Sequence, residues 1–284
     1  MKGVIILIGA ARSGTKLLRD LVATHPQVAC VPFDVNFIWR LGNDSVSHDE
    51  LGPELATPRV RRRIRSRILN FQRMAPWLVE KTVSNSLRVP FVEAVFPEAK
   101  YIHLIRDGRD VTESSYRQWT APPSWRDIAR KIPAFPVAQA FGYGARYVGS
   151  TLRRAVGGRG KDAAPIWGPV YDGIREDVAS RELMDVCALQ WQRSVVSAFS
   201  AFGALDPERV LTIRYEELVA NPDREVARAH AFMGLRTTAG GGLTRVVSTS
   251  NVGMGSRGFD VTQQVHIERL IADGLKMAGY PIAI

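Results

Sequence analysis

Eight consecutive residues near the amino terminus, Gly9-Ala10-Ala11-Arg12-Ser13-Gly14-Thr15-Lys16, bring together two glycines, two hydroxyls and two cations. Glycine lets a backbone approach an oxyanion closely, Ser13 and Thr15 add donors, and Arg12 and Lys16 add charge. The run follows Val4–Ile8, a continuous apolar stretch of the kind that forms a strand buried on both faces. It precedes Leu17, Leu18, Leu21 and Val22, which recur at helical spacing until His25-Pro26 closes the helix. A loop in that position aims free backbone N–H groups and the positive end of a helix dipole at one point. The chemistry this predicts is capture of a phosphate-like anion. Gly9 and Gly14 have Walker A spacing, but the lysine arrives one place late, which turns it about 100° round the helix. Gly-x-Gly is absent, so the dinucleotide fingerprint fails. A plain βα turn is the alternative reading.

A second candidate is Tyr101-Ile102-His103-Leu104-Ile105-Arg106-Asp107-Gly108-Arg109-Asp110-Val111, leading to Ser114. An arginine at a strand end offers a bidentate fork, and a serine on the next helix a single donor, enough to grip another phosphate. Taken alone, Arg106, Asp107, Arg109 and Asp110 read equally as surface ion pairs.

Together the two segments resemble the PAPS-dependent sulfotransferases, enzymes that use 3′-phosphoadenosine 5′-phosphosulfate (PAPS) and release PAP. Arg12-Ser13-Gly14-Thr15 matches the family's 5′-phosphosulfate loop, with Ala11 in place of its proline and Lys16 in place of a small hydroxyl residue. Cytosolic members carry lysine where Arg12 stands, whereas arginine is common among bacterial relatives. Arginine does not give up its proton near neutrality, so Arg12 is expected to act by charge. Arg106 and Ser114 have the spacing of the family's 3′-phosphate motif, and Phe96-Pro97-Glu98-Ala99-Lys100 resembles its lead-in. Arg214-Tyr215-Glu216-Glu217-Leu218 with Asn221-Pro222 resembles the segment whose tyrosine lies by the adenine; a buried tyrosine at a strand end is the plainer reading of Tyr215. Gly253–Gly258 resembles the late glycine loop over the donor, which makes Arg257 and Gly258 donor contacts.

Sulfuryl transfer also needs a base for the acceptor's proton and positive charge near the leaving oxygen. Cytosolic members place a histidine two residues after a lysine; here Glu80-Lys81-Thr82-Val83-Ser84-Asn85 puts Val83 there. The segment resembles instead that of heparan-type and related bacterial members, whose base is a glutamate beyond the first helix. The resemblance assigns that role to Asp34, in Val31-Pro32-Phe33-Asp34-Val35-Asn36-Phe37, with Lys81 neutralising the transferred group or holding the acceptor; a helix-capping Asp34 is the alternative. The scheme requires no metal, and no His-x-x-x-His or carboxylate cluster suggests one.

These residues need elements to hold them. Trp77–Glu80, Tyr101–Ile105 and Val210–Arg214 read as further strands, with helices across Leu87–Phe96, after Asp107-Gly108, over Leu183–Phe202 and over Arg224–Met233. The alternation predicts an α/β, P-loop-like three-layer domain with a central parallel sheet flanked by helices. It would be one domain over 1–284, with an irregular Pro- and Gly-broken insertion or lid near 120–180 that covers or shapes an acceptor site.

Thr57-Pro58 reads as a helix start. Val60, Ile64, Ile68 and Phe71 then form an apolar stripe among Arg59, Arg61, Arg62, Arg63, Arg65 and Arg67, either a solvated face or a dock for an anionic acceptor. The 284 residues carry a formal charge of +10, which suits anionic ligands rather than specific nucleic-acid binding. Cys30 and Cys187 read as reduced core thiols in a cytoplasmic setting, and no stretch is long and apolar enough to span a bilayer. The expected activity is sulfuryl transfer to a hydroxyl or amine of a small-molecule, lipid or glycan acceptor, possessing an anionic or polar character. A P-loop-type nucleotide-dependent kinase and a non-catalytic polyanion-binding protein are the alternatives.

Overall fold

The computed structural model describes residues 2–121, 166–236 and 247–282. Most of the stretch expected to form an irregular insertion, 122–165, lies outside the described residues.

Five strands form one parallel sheet: β1 (Gly3–Ile8), β2 (Val28–Cys30), β3 (Trp77–Glu80), β4 (Lys100–Ile105) and β5 (Val210–Arg214), in the order β2-β3-β1-β4-β5. β1 sits at the centre, paired to β3 on one side and β4 on the other, and every residue of Val4–Ile8 is buried. Alternate side chains feed two cores. Val4, Ile6 and Ile8 pack with α3 (Pro58–Leu69) and α4 (Val89–Val95) on one face. Ile5 and Leu7 pack with α1 (Thr15–Val22) and the later helices on the other. Each such fully buried side chain contributes roughly 1.5–3 kcal/mol, so the strand carrying the anion loop is among the best anchored parts of the chain.

The expected strands and helices are present at the expected places, and the structure adds one strand and several short helices. β2 was not predicted, because three residues at a sheet edge leave too little pattern to read. α5 (Gly108–Thr120) follows β4, and α6 (Ile174–Ser180) falls inside the stretch read as irregular. α7 (Leu183–Phe202) braces the fold from behind: its Trp191 Nε1 donates to the Arg106 carbonyl (3.1 Å) and its ring fills the space a Gly108 side chain would need. The chain ends through α8 (Tyr215–Ala220), α9 (Pro222–Phe232), α10 (Met254–Gly258), α11 (Val261–Leu270) and α12 (Ala272–Met277). No helix among the described residues is long and apolar enough to cross a membrane.

Parallel pairing puts every strand's carboxyl end on one edge. β1 leads outward to β3 and β2 on one side, whereas β4 and β5 lie on the other, so the chain switches direction between β1 and β4. Ligands of open α/β sheets bind outside the carboxyl ends at such a switch. The two anion-binding candidates emerge from those two strands.

Candidate active site

The loop after β1 has the geometry its glycines foretell. Gly14 is left-handed (φ 89°) and caps α1 without a side-chain hydrogen bond, and a methyl group on it would lie 2.5 Å from the Tyr215 ring. Arg12 is also left-handed (φ 67°), a conformation that costs a non-glycine residue on the order of 1 kcal/mol and clusters at functional sites. Ser13 is buried and its Oγ has no hydrogen-bond partner among the described residues. Thr15 is buried, whereas Lys16 points to solvent from the first turn of α1.

The structure brings the second motif onto this loop. Arg12 Nε donates to Ser114 Oγ on α5 (3.0 Å), and Arg106 Nη1 donates to the Arg12 carbonyl (2.9 Å). Arg106 is buried, stacks 4.3 Å over the Tyr215 ring and has a buried Nε with no hydrogen-bond partner among the described residues. Partial burial, then the nearby Arg106 and Arg117, hold the Arg12 guanidinium below its ordinary value. Clustered like charges and donors of this kind fit an anionic ligand.

The segment after β4 does carry ion pairs. Asp107 caps α5 and pairs with Arg109 (2.6 Å), which also binds Glu268 (2.6 Å). Asp110 instead turns inward, 3.7 Å from Arg106, and accepts from the Gly253 and Gly255 N–H groups (2.8 and 2.7 Å). Asp110 thus ties the late glycine loop to the site. Arg106 Nη2 donates to the Asn251 carbonyl, while exposed Arg257 folds back to donate to the carbonyls either side, Ser250 (3.0 Å) and Val252 (2.9 Å). Arg257 and Arg106 therefore converge on one short stretch. Gly258 packs against Glu113 of α5.

Asp34 does not cap α2 (Asn36–Trp39), whose N-cap is Val35 with no side-chain bond. Its carboxylate reaches across to the segment after β3: Lys81 Nζ donates to one oxygen (2.8 Å) and the Val83 N–H to the other (3.0 Å). Lys81 is buried while the Asp34 side chain remains 43% exposed, so one end of the pair faces outward. A carboxylate has about four lone-pair sites, and the two bonds leave room for another donor.

Two carboxylates that the sequence reading missed hold this pair. Glu80 is fully buried and accepts from Thr82 Oγ1 (2.6 Å) and Asn85 Nδ2 (3.0 Å); Thr82 Oγ1 accepts in turn from the Val35 N–H (3.1 Å). Burial pushes the Glu80 carboxyl up to about 7. Asp49 accepts from Asn36 Nδ2 (3.0 Å), Arg40 Nη1 (3.2 Å), Ser84 Oγ (2.8 Å) and the Val170 N–H (3.0 Å), with Arg88 Nη1 at 3.7 Å. The two chain neighbours of Asp34 on its C-terminal side are thereby locked to the Lys81 segment.

Burial alone would raise the Asp49 carboxyl, but Arg88 and the bonds from Asn36, Val170 and Ser84 outweigh it and hold the group below the ordinary carboxylate range. A depressed carboxyl stabilises the fold above its unfolded value and stops doing so as pH falls through the folded one. Asp49→Asn leaves the buried Arg88 uncompensated and is expected to cost about 3 kcal/mol, read by urea unfolding at neutral pH, with the deficit shrinking as both proteins are acidified. An unchanged unfolding midpoint would contradict the assignment.

The model of the sulfotransferase family matches residues 4–139 and 171–239. The chain belongs to the sulfotransferase family. Among curated members, it is 30% identical over 136 residues to a putative protein-tyrosine sulfotransferase of Caenorhabditis briggsae, a match covering 46% of this chain and 44% of that one. It is 26% identical over 117 residues to human protein-tyrosine sulfotransferase 1, covering 37% and 32%. The chain thus matches less than half the length of these relatives. The sulfotransferase domain of the curacin biosynthetic pathway superposes with a TM-score of 0.56 at 15% identity, covering 99% of both chains. That of the Synechococcus PCC 7002 olefin synthase gives 0.53 at 16%, covering 98% and 95%. At such identities these structures speak for the shared fold. The sulfotransferase family model spans β1 to the end of α9, and so includes the anion loop, Asp34, Lys81, Arg106, Ser114 and Tyr215, but not Arg257 or Gly258.

Proposed function

We propose that this chain transfers a sulfuryl group from PAPS to a hydroxyl or amine of a small-molecule, lipid or glycan acceptor. The observation that carries the reading is the convergence, at the switch point of the sheet, of the loop holding left-handed Gly14 with Arg12, Arg106 and Ser114, where Ser13 Oγ and Arg106 Nε are buried with no hydrogen-bond partner among the described residues. Membership of the sulfotransferase family supports it. In this reading Arg12, Ser13, Gly14, Thr15 and Lys16 hold the 5′-phosphosulfate. Arg106, Ser114, Arg257 and Gly258 hold the 3′-phosphate, and Tyr215 lies by the adenine.

PAPS supplies the sulfuryl group, whose bond to the bridging phosphate oxygen breaks as a bond to the acceptor forms. The chain's own part is positioning and charge, as in phosphoryl transfer. Arg12 stabilises the negative charge that develops on the leaving oxygen, and Lys81, beside Asp34, neutralises the transferred group or holds the acceptor. Asp34 takes the acceptor's proton, and its charge is held in place by Lys81 and the Val83 N–H.

Titration calorimetry with PAP in the absence of Mg²⁺ tests the donor assignment. Saturable binding is expected, against none for ATP under the same conditions; binding of Mg-ATP alone would favour a kinase. Incubation with PAPS carrying labelled sulfate and a panel of alcohols, amines and glycans, followed by mass spectrometry, then reads the acceptor class. No labelled product together with no PAP binding would overturn the proposal.

A further inference from the structure

The arginine-rich helix α3 has no part in the site just described. From Leu55 to Val79 the chain carries seven arginines and no acidic residue, so this short stretch holds most of the formal +10 and leaves +3 for the rest. Arg65 is bound to Glu98 (2.6 Å) and to the Val95 carbonyl (2.9 Å). Among the described residues, no carboxylate pairs with Arg59, Arg61, Arg62, Arg63, Arg67 or Arg73. Many arginines elsewhere are paired, including Arg19, Arg109, Arg117, Arg181, Arg209 and Arg228. Like charges four residues apart, as in Arg59/Arg63 and Arg63/Arg67, disfavour a helix, so the run works against the stability of the element that carries it.

Its orientation is fixed by packing. Val60, Ile64 and Ile68 are buried inward. At 100° per residue the opposite face is centred on Arg59, Arg62 and Arg63 with Ser66 and Asn70, and these five are exposed. That face is convex, the outside of a helical rod about 18 Å long, and it can meet a plane. Beyond the helix, Arg73 adopts a left-handed conformation (φ 52°) and Met74 is 98% exposed. The turn is braced by the Gln72 side chain, which donates to the Ala75 and Pro76 carbonyls (3.1 and 3.2 Å). An apolar tip held out beside a row of unpaired arginines matches the headgroup boundary of an anionic bilayer, where cations meet lipid phosphates and an apolar side chain enters the acyl region.

We propose that the outer face of α3 and the Arg73–Met74 turn dock this protein on an anionic lipid surface. The Arg73–Met74 turn leads straight into the start of β3, which pairs with the start of β1, so it lies at the amino-end edge of the sheet, opposite Arg12, Asp34 and Arg106. Docking there leaves the candidate active site open. A free polyanion would use the arginines but has no use for Met74, which is why the bilayer is favoured.

The test is sedimentation of the full chain with vesicles of phosphatidylcholine alone or doped with phosphatidylglycerol. Binding to the anionic vesicles only, weakened by salt, is expected. Each basic residue near an anionic leaflet is worth about a fivefold gain in partitioning, so R59Q/R62Q/R63Q should lose on the order of a hundredfold. M74S should lose a few-fold on vesicles while keeping wild-type retention on heparin. PAP binding by every variant reports that the fold is intact. The proposal is overturned if the wild type ignores anionic vesicles, if the triple variant binds them equally, or if M74S weakens vesicle and heparin binding alike or neither.

Discussion

Asp34→Asn is expected to lower turnover by about 10²- to 10⁴-fold, the usual worth of a general base, while PAP affinity stays within about twofold. The amide is the same size and its oxygen can still accept the Val83 N–H bond seen at 3.0 Å. It has no negative charge to offer Lys81 and no lone pair basic enough to take a proton from an alcohol or amine. The donor loop does not touch Asp34, since its partners come from the segment after β3. Loss of chemistry should therefore separate cleanly from loss of donor binding. Pre-steady-state turnover with saturating PAPS, beside calorimetry with PAP, gives both quantities. Near-wild-type turnover would remove Asp34 from the role, and a matching collapse in PAP affinity would mean that the substitution disturbs the fold.

The contrast between Asp34 and Asp49 shows what can be read from one sequence. Asp34 was reachable because its segment has a counterpart in a known family, although residue chemistry alone left base and helix cap open; the Lys81 and Val83 contacts remove the cap. Asp49 lies in a polar stretch with no period, and its partners Ser84 and Val170 stand 35 and 121 residues away. Spacing carries no information about such pairings. Glu80 was hidden differently, within a quoted motif, because only burial distinguishes a carboxylate that organises Thr82 and Asn85 from one on the surface. β1 and the loop after it were legible because their signal is local: an unbroken apolar run, then Gly14 where the backbone turns left-handed. The stripe Val60, Ile64 and Ile68 was legible for the same reason, but what the arginines beside it face was not.

Arg106→Ala is expected to weaken PAP binding by about 10²- to 10³-fold, in keeping with the 2–5 kcal/mol that follows loss of one partner of a buried charged contact. The side chain is buried, spans from the Arg12 carbonyl to the Asn251 carbonyl and lies over Tyr215. Truncation therefore removes one hold on the donor loop and one on the late loop, and affinity alone would not separate a phosphate contact from a brace. A comparison of PAP with AMP does, because AMP lacks the 3′-phosphate. If Arg106 grips that group, the wild type prefers PAP by a large factor and the variant loses most of that preference, with AMP affinity falling much less. If Arg106 only braces the loops, both ligands weaken in step and the preference survives. Arg106→Lys keeps the charge but loses the planar fork, so it should recover part of the preference. Asp110 stays anchored by the Gly253 and Gly255 N–H groups, which keeps the late loop tethered in the alanine variant and lets the discrimination, rather than collapse of the loop, decide the outcome.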